Sequence, residues 1–166
     1  MKKLNKMLAV SLLASFGGVL NAFESALPIL NLIPGGKLGI ANVVTLVSMY
    51  LFGGAYALLV SALRTVVSCM LYGGLNAFMY SFSGAMVSCL LMILTKNILK
   101  DKVSPIGVSV VGAVSHNATQ VAVAWLVLRS NALAWYLGAL ILIAIVSGTA
   151  LGYITKESLK RIKIKG

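Results

Sequence analysis

LAWYLGALILIAIVSGTALGYI, residues Leu133 to Ile154, contains no charged side chain and is followed at once by Thr155, Lys156 and Glu157. A helix rises about 1.5 Å per residue, so a run of this length crosses the roughly 30 Å hydrocarbon of a bilayer. Moving outward from it, comparable runs cover Met7 to Phe23, Leu38 to Phe52, Ala55 to Leu71, Ala77 to Thr95 and Ile106 to Leu128. They are separated by turn or charge signals: Pro28 with Pro34-Gly35-Gly36, then Gly53-Gly54, Gly73-Gly74, the stretch from Lys96 to Lys102 with Pro105, and Arg129-Ser130-Asn131. The expectation is an all-α protein, a single domain over residues 1–166 forming an integral membrane bundle of six transmembrane helices. The second run is the shortest and joins the third through little more than a glycine pair.

Composition agrees with this reading. Of 166 residues, 60% are apolar and 10% charged, where an average soluble domain is roughly 25% charged. Such a chain has room for the spans and for no separate soluble domain. The formal net charge of +11 does not point to nucleic acid, which would need basic residues clustered on a water-exposed module. Here they stand at helix ends. Cys69 and Cys89 fall inside apolar stretches without the spacing of a metal or redox motif, and read as small core residues.

Met1-Lys2-Lys3-Leu4-Asn5-Lys6 before an apolar run imitates a secretory signal peptide, but a cut after Ala22 would leave Leu20 where a small residue is wanted. The run is therefore read as a retained first helix. With the N-terminus in the cytoplasm, the inner segments hold Lys2, Lys3, Lys6, Lys96, Lys100, Lys102, Lys156, Lys160, Arg161, Lys163 and Lys165, eleven of the 14 basic residues. Lys37 and Arg129 fall in outer loops and Arg64 within a span. Since translocation of Lys and Arg is opposed, both termini are expected to be cytoplasmic. Along the first helix, Ala14, Gly18, Ala22 and Ala26 place a small residue every four positions on one face. Such a stripe lets another helix approach closely, either one of this chain or one of a separate membrane partner.

Chemistry is limited by the acid count. Glu24, Asp101 and Glu157 are the three carboxylates, and the last two lie among cytoplasmic lysines as solvated helix-end charges. General acid and base pairs and magnesium diphosphate sites need at least two neighbouring carboxylates. No G-x-x-x-x-G-K-[ST] sequence is present for ATP, and His116, the single histidine, has no companions for zinc. No catalytic residue, metal or cofactor is expected.

Polar residues inside the spans are the candidate binding groups. Arg64 costs at least about 3 kcal/mol at a span centre, so it should face a cavity or an anionic partner. That partner is either Glu24 or a polar group of a ligand. His116, Asn117 and Gln120 lie near the middle of the fifth span, with 116 and 120 on one face and 117 beside it. They turn inward as helix-to-helix contacts or as ligand contacts. Pro34-Gly35-Gly36-Lys37-Leu38-Gly39-Ile40-Ala41-Asn42 enters the second helix, where free N–H groups favour anions or carbonyl oxygens.

This last segment resembles the signature of the membrane family named heptaprenyl diphosphate synthase component I, itself similar to substrate-binding S components of energy-coupling factor (ECF) transporters. Leu63-Arg64-Thr65, Tyr80-Ser81-Phe82-Ser83-Gly84 and Gly112-Ala113-Val114-Ser115-His116-Asn117 are also similar, and the likeness covers nearly the whole chain. The resemblance implies a six-helix subunit of a bacterial plasma membrane that captures a scarce small molecule from outside. Its implied partners are a membrane coupling subunit and a pair of cytoplasmic ATPases, with Ala14, Gly18 and Ala22 matching the partner-binding face. It implies no prenyltransferase activity, because a chain with Asp101 as its one aspartate lacks aspartate-rich diphosphate sites.

The leading expectation is thus a transport subunit whose substrate site is formed by Lys37, Asn42, Arg64, Tyr80, His116, Asn117 and Gln120. The substrate would be vitamin-like, isoprenoid or a quinone precursor. A second reading is a non-catalytic membrane subunit associated with an isoprenoid or polyprenyl diphosphate enzyme. A third, an ion-coupled carrier, is disfavoured by the scarcity of membrane carboxylates.

Overall fold

The computed structural model describes residues 3–25, 38–72, 74–129, 135 and 137–164. Within them lie six helices: α1 (Lys3–Ser25), α2 (Asn42–Phe52), α3 (Gly54–Tyr72), α4 (Leu75–Leu99), α5 (Pro105–Leu128) and α6 (Leu137–Ile164). A 3-10 turn at Lys100–Lys102 joins α4 to α5. Five helices are long and apolar enough to cross a membrane, all except α2. This is the all-helical architecture, with five candidate spans, that the apolar runs predict.

The expectation of six full spans needs one correction. α2 has 11 residues, about 16 Å of helix, roughly half the hydrocarbon thickness. Glycine sets both limits. Gly39 has φ of +75° and Gly53 φ of +98°, in the half of conformational space that residues with a Cβ avoid. The first turn delays the helix to Asn42, and the second ends it at Phe52 before α3 begins. At this end the Met49 carbonyl keeps its helical bond from Gly53 N–H at 3.1 Å and also accepts from Lys96 Nζ at 3.3 Å. The same ammonium sits 4.2 Å from the Tyr50 ring centroid. A cation suits the negative end of a helix, so Lys96, in the last turn of α4, closes α2.

Neighbouring helices are tied by small residues and hydroxyls. Ser61 Oγ donates to the Ala85 carbonyl at 3.2 Å, joining α3 to α4, and Ser88 Oγ donates to the Gly112 carbonyl at 2.7 Å, joining α4 to α5. α5 and α6 meet most closely. A Cβ added at Gly152 would lie 2.6 Å from Ile106 Cα, and one at Gly148 2.9 Å from Val110 Cα. Gly148 and Gly152 form a G-x-x-x-G pair whose missing side chains let two backbones touch, replacing the hydrophobic drive that lipid removes with dispersion contacts.

The small-residue face of α1 is used in the same way. Ala14, Gly18 and Ala22 are buried, and a Cβ at Gly18 would lie 2.7 Å from Val67 of α3. That is the first of the two alternatives for this stripe, a helix of the same chain, since α3 packs against it at Gly18. Ala26 lies outside the described residues. The opposite face of α1 carries Leu8, Leu12, Phe16, Val19 and Phe23, all exposed, as a lipid-facing surface requires.

An apolar core of Leu46, Met49, Ala57, Cys89, Met92 and Val108 binds α2 to α5 together. Ser104, with Pro105 behind it, caps α5, a combination that suits a helix start. α6 continues past Ile154 to Ile164 because Thr155 and Leu159 still find buried positions.

Candidate functional site

Two groups of buried polar side chains occupy the bundle. The first lies where α1, the turn before α2, α2 and α3 converge. The Glu24 carboxylate, 1% exposed, accepts from Gly39 N at 2.7 Å and Ile40 N at 3.1 Å. Backbone donors ahead of a helix have no partner inside it, and an anion there makes charge-assisted bonds. Arg64, 2% exposed, donates from Nε to Thr45 Oγ1 at 3.1 Å and from Nη2 to Asn42 Oδ1 at 2.6 Å. Glu24 supplies the opposite charge acting on it. These bonds fix the end of α1 to the turn before α2, and the start of α2 to α3.

Asn42 is left half-used. With Oδ1 taken by Arg64, its Nδ2 has no hydrogen-bond partner within the described residues, although the residue is only 7% exposed. Nδ2 lies 3.1 Å from the position a Cβ would take at Gly39. Six residues and nearly two turns further along α2, Ser48 Oγ is likewise buried and without a partner among the described residues.

The second group lies between α4 and α5. A Cβ at Gly84 would fall 2.9 Å from Gln120 Cγ and 3.0 Å from the His116 carbonyl, so the glycine draws α5 in and buries both side chains. Asn117, beside them, donates from Nδ2 to the Leu140 carbonyl of α6 at 3.3 Å. Gln120 is 1% exposed and its Oε1 has no partner within the described residues. Arg64 is one turn along α3 from Ser61, and Ser61 bonds to Ala85 next to Gly84. The two groups therefore lie within about one helical turn of the same depth.

Of the residues expected from the sequence, Asn42 and Arg64 are in direct contact, and His116 and Gln120 share the contact at Gly84. Asn117 is engaged as a helix-to-helix tie. Tyr80 is half-buried one turn before Gly84, and Lys37 lies outside the described residues. For Arg64 the geometry favours the internal role, since Asn42, Thr45 and Glu24 meet its charge. Thr45 and Ser48 were missed, although Asn42, Thr45 and Ser48 recur every three positions on an otherwise apolar helix. That stripe was the available signal.

An apolar cavity of about 520 Å³ lies beside the first group, with Leu38 and Ile40 on one wall and Leu142, Val146 and Ala150 of α6 among the residues of the other. Among the described residues no three His, Cys, Asp or Glu side chains gather as a metal site would require. Glu157 pairs with Lys160 at 2.7 Å on the surface, as expected of a solvated helix end.

No curated protein and no solved structure shows significant similarity to the chain. Residues 13–158, a stretch that takes in parts of all six helices, match the family described as Heptaprenyl diphosphate synthase component I, and the chain belongs to that family.

Proposed function

We propose that the chain is a non-catalytic, substrate-capturing membrane subunit, the S component of an ECF-type importer, held in a bacterial plasma membrane with both termini in the cytoplasm. The observation that carries this reading is a set of buried polar atoms without partners among the described residues, Asn42 Nδ2, Ser48 Oγ and Gln120 Oε1. A buried polar group left unsatisfied costs about 1–3 kcal/mol. A bundle that tolerates several gains most from a guest that supplies the missing partners, and convergent polar groups inside apolar walls are how small-molecule pockets select.

The substrate surface on this reading is Asn42, Ser48, Tyr80, His116 and Gln120, with Arg64 and Asn117 holding the frame; Lys37, also expected to contribute, lies outside the described residues. A coupling subunit and two ATPases supply energy, since the chain has no phosphate-cradling loop of its own. The coupling subunit docks on a surface other than the Ala14, Gly18 and Ala22 stripe, which packs against α3 at Gly18. The family's name favours a second reading, a membrane subunit that accompanies a prenyl diphosphate enzyme.

Purification in mild detergent, with mass spectrometry of both the small molecules and the proteins that accompany the chain, decides between them. A bound metabolite together with a coupling subunit and ATPases supports capture for transport. A prenyltransferase as the stoichiometric companion supports the second reading, and neither a metabolite nor a transport companion would end the first.

A further inference from the structure

We infer that the turn joining α4 to α5 and the end of α6 form one basic surface, carried by Lys100, Lys102, Lys156 and Arg161, that holds the headgroups of anionic phospholipids. α6 runs on from Ile154 to Ile164, and this extension is anchored, since Thr155 and Leu159 are buried. The turn is anchored as well. Lys100 N–H donates to the Lys96 carbonyl at a φ of +45°, and Val103 packs against the apolar core. The two segments meet at Gly152, where a Cβ would lie 2.6 Å from Ile106 Cα and 3.2 Å from the Pro105 carbonyl. Lys102 precedes Pro105 by three residues, and Lys156 follows Gly152 by one turn on nearly the same face. Cations from both segments are thus brought to one end of the bundle on backbones already fixed.

Positive charge is in excess there. Lys100, Lys102 and Arg161 are exposed and Lys156 is half-buried, and none of the four pairs with a carboxylate among the described residues. Glu157 is taken by Lys160 at 2.7 Å, which leaves Asp101, itself exposed between two lysines. The surfaces leading to these cations decide what they meet. Leu90, Leu94 and Ile98 form an exposed apolar stripe along α4 that ends at the Lys100–Lys102 turn. On α6 Tyr153 and Ile154 are exposed, and Arg161 stands about two turns beyond Ile154 on the same face. Stripes of this kind face acyl chains, and an exposed tyrosine at the end of one marks the headgroup level. The cations just beyond therefore lie among phosphates, where each Lys or Arg adds about fivefold to the binding of an anionic surface. A soluble acidic partner would need them on a face clear of the bilayer. Among the described residues the opposite end of the bundle carries Arg129 alone, so the preference belongs to one end.

The full chain in a non-ionic detergent, titrated with phosphatidylglycerol or with phosphatidylcholine of the same acyl chains and read by native mass spectrometry, tests this. Phosphatidylglycerol should bind at least about tenfold more tightly, and the preference should shrink as salt rises from about 50 to about 300 mM. Lys100→Gln with Lys102→Gln, and separately Lys156→Gln with Arg161→Gln, should each lower phosphatidylglycerol affinity about tenfold. Phosphatidylcholine binding should be unchanged, and thermal melting should stay within a few degrees of wild type. Lys100→Arg with Lys102→Arg should retain the affinity, which separates lost charge from a disturbed turn. Arg129→Gln should change it less than about twofold. Equal affinity for the two lipids would overturn the inference, as would an equal loss in Arg129→Gln. Displacement by millimolar glycerol phosphate would overturn it too, by making the surface a site for a free phosphate ester. Neutralised variants that keep phosphatidylglycerol but lose an acidic protein companion would assign the surface to that protein instead.

Discussion

Removing Glu24 exposes how much of the bundle hangs on one compensated charge. Glu24→Gln keeps the shape of the side chain but offers one acceptor oxygen where Gly39 N and Ile40 N use two. Stranding one of those donors costs about 1–3 kcal/mol. Glu24 also supplies an opposite charge acting on Arg64, which is 2% exposed, and the cost of losing it is bounded above by the roughly 3–5 kcal/mol of a broken buried pair. The two terms overlap, and a total of at most about 4–6 kcal/mol is expected, a large fraction of the ~5–15 kcal/mol that holds a typical fold. Arg64→Met should cost about as much as the broken pair alone, since it frees Thr45 and Asn42 while Glu24 keeps its backbone donors. The double variant leaves no unmatched charge, so it should be more stable than the sum of the singles implies, by about 2–4 kcal/mol. Reversible unfolding by sodium dodecyl sulfate in mixed micelles, followed by tryptophan fluorescence, gives all four corners of the cycle. Additivity within about 0.5 kcal/mol would show that the two residues act independently and would refute the charge compensation.

Gln120→Met replaces an unsatisfied buried amide with an apolar side chain of similar length. Stability should be unchanged or raised by about 1 kcal/mol, while affinity for the copurified ligand drops at least about tenfold; a destabilised variant with intact binding would make Gln120 structural. Gly152→Ala drives a methyl into the α5 backbone 2.6 Å away and should cost about 1–3 kcal/mol. Gly138→Ala, with nothing within 4 Å, is its control and should leave the melting temperature unchanged. Lys96→Met removes both the bond to the Met49 carbonyl and the cation over Tyr50, for a loss of about 1–2 kcal/mol seen in the same unfolding titration; no change would mean that Lys96 adds nothing to the end of α2.

The fold was largely legible because lipid leaves few alternatives to helix. α5 begins at Pro105 and ends at Leu128, one residue from the boundary expected at Ile106, because Ser104-Pro105 writes a helix start into the sequence. α2 was harder. Hydropathy runs on from Leu38, but the backbone does not become helical until after the positive φ of Gly39, and hydropathy carries no information about φ. α6 erred the other way, since a helix needs no apolar side chains to continue past Ile154 into Lys156 and Lys160. Of the site, the sequence announced which polar residues would turn inward. It did not announce their pairing: Arg64 with Asn42 and Thr45 depends on a contact between helices that no local spacing encodes. The small residues of α1 stood out by period, whereas the tighter Gly148 and Gly152 contact was overlooked, although its four-residue spacing was equally visible.

The brevity of α2 has a consequence for what surrounds it. A helix about 16 Å long covers only about half of a slab about 30 Å thick, yet Asn42 and Val44 to Met49 are buried, so neighbouring helices and not acyl chains enclose it, which is where a short helix can stand at membrane depth. Changes in acyl-chain length should therefore touch α2 less than changes in the helices packed around it.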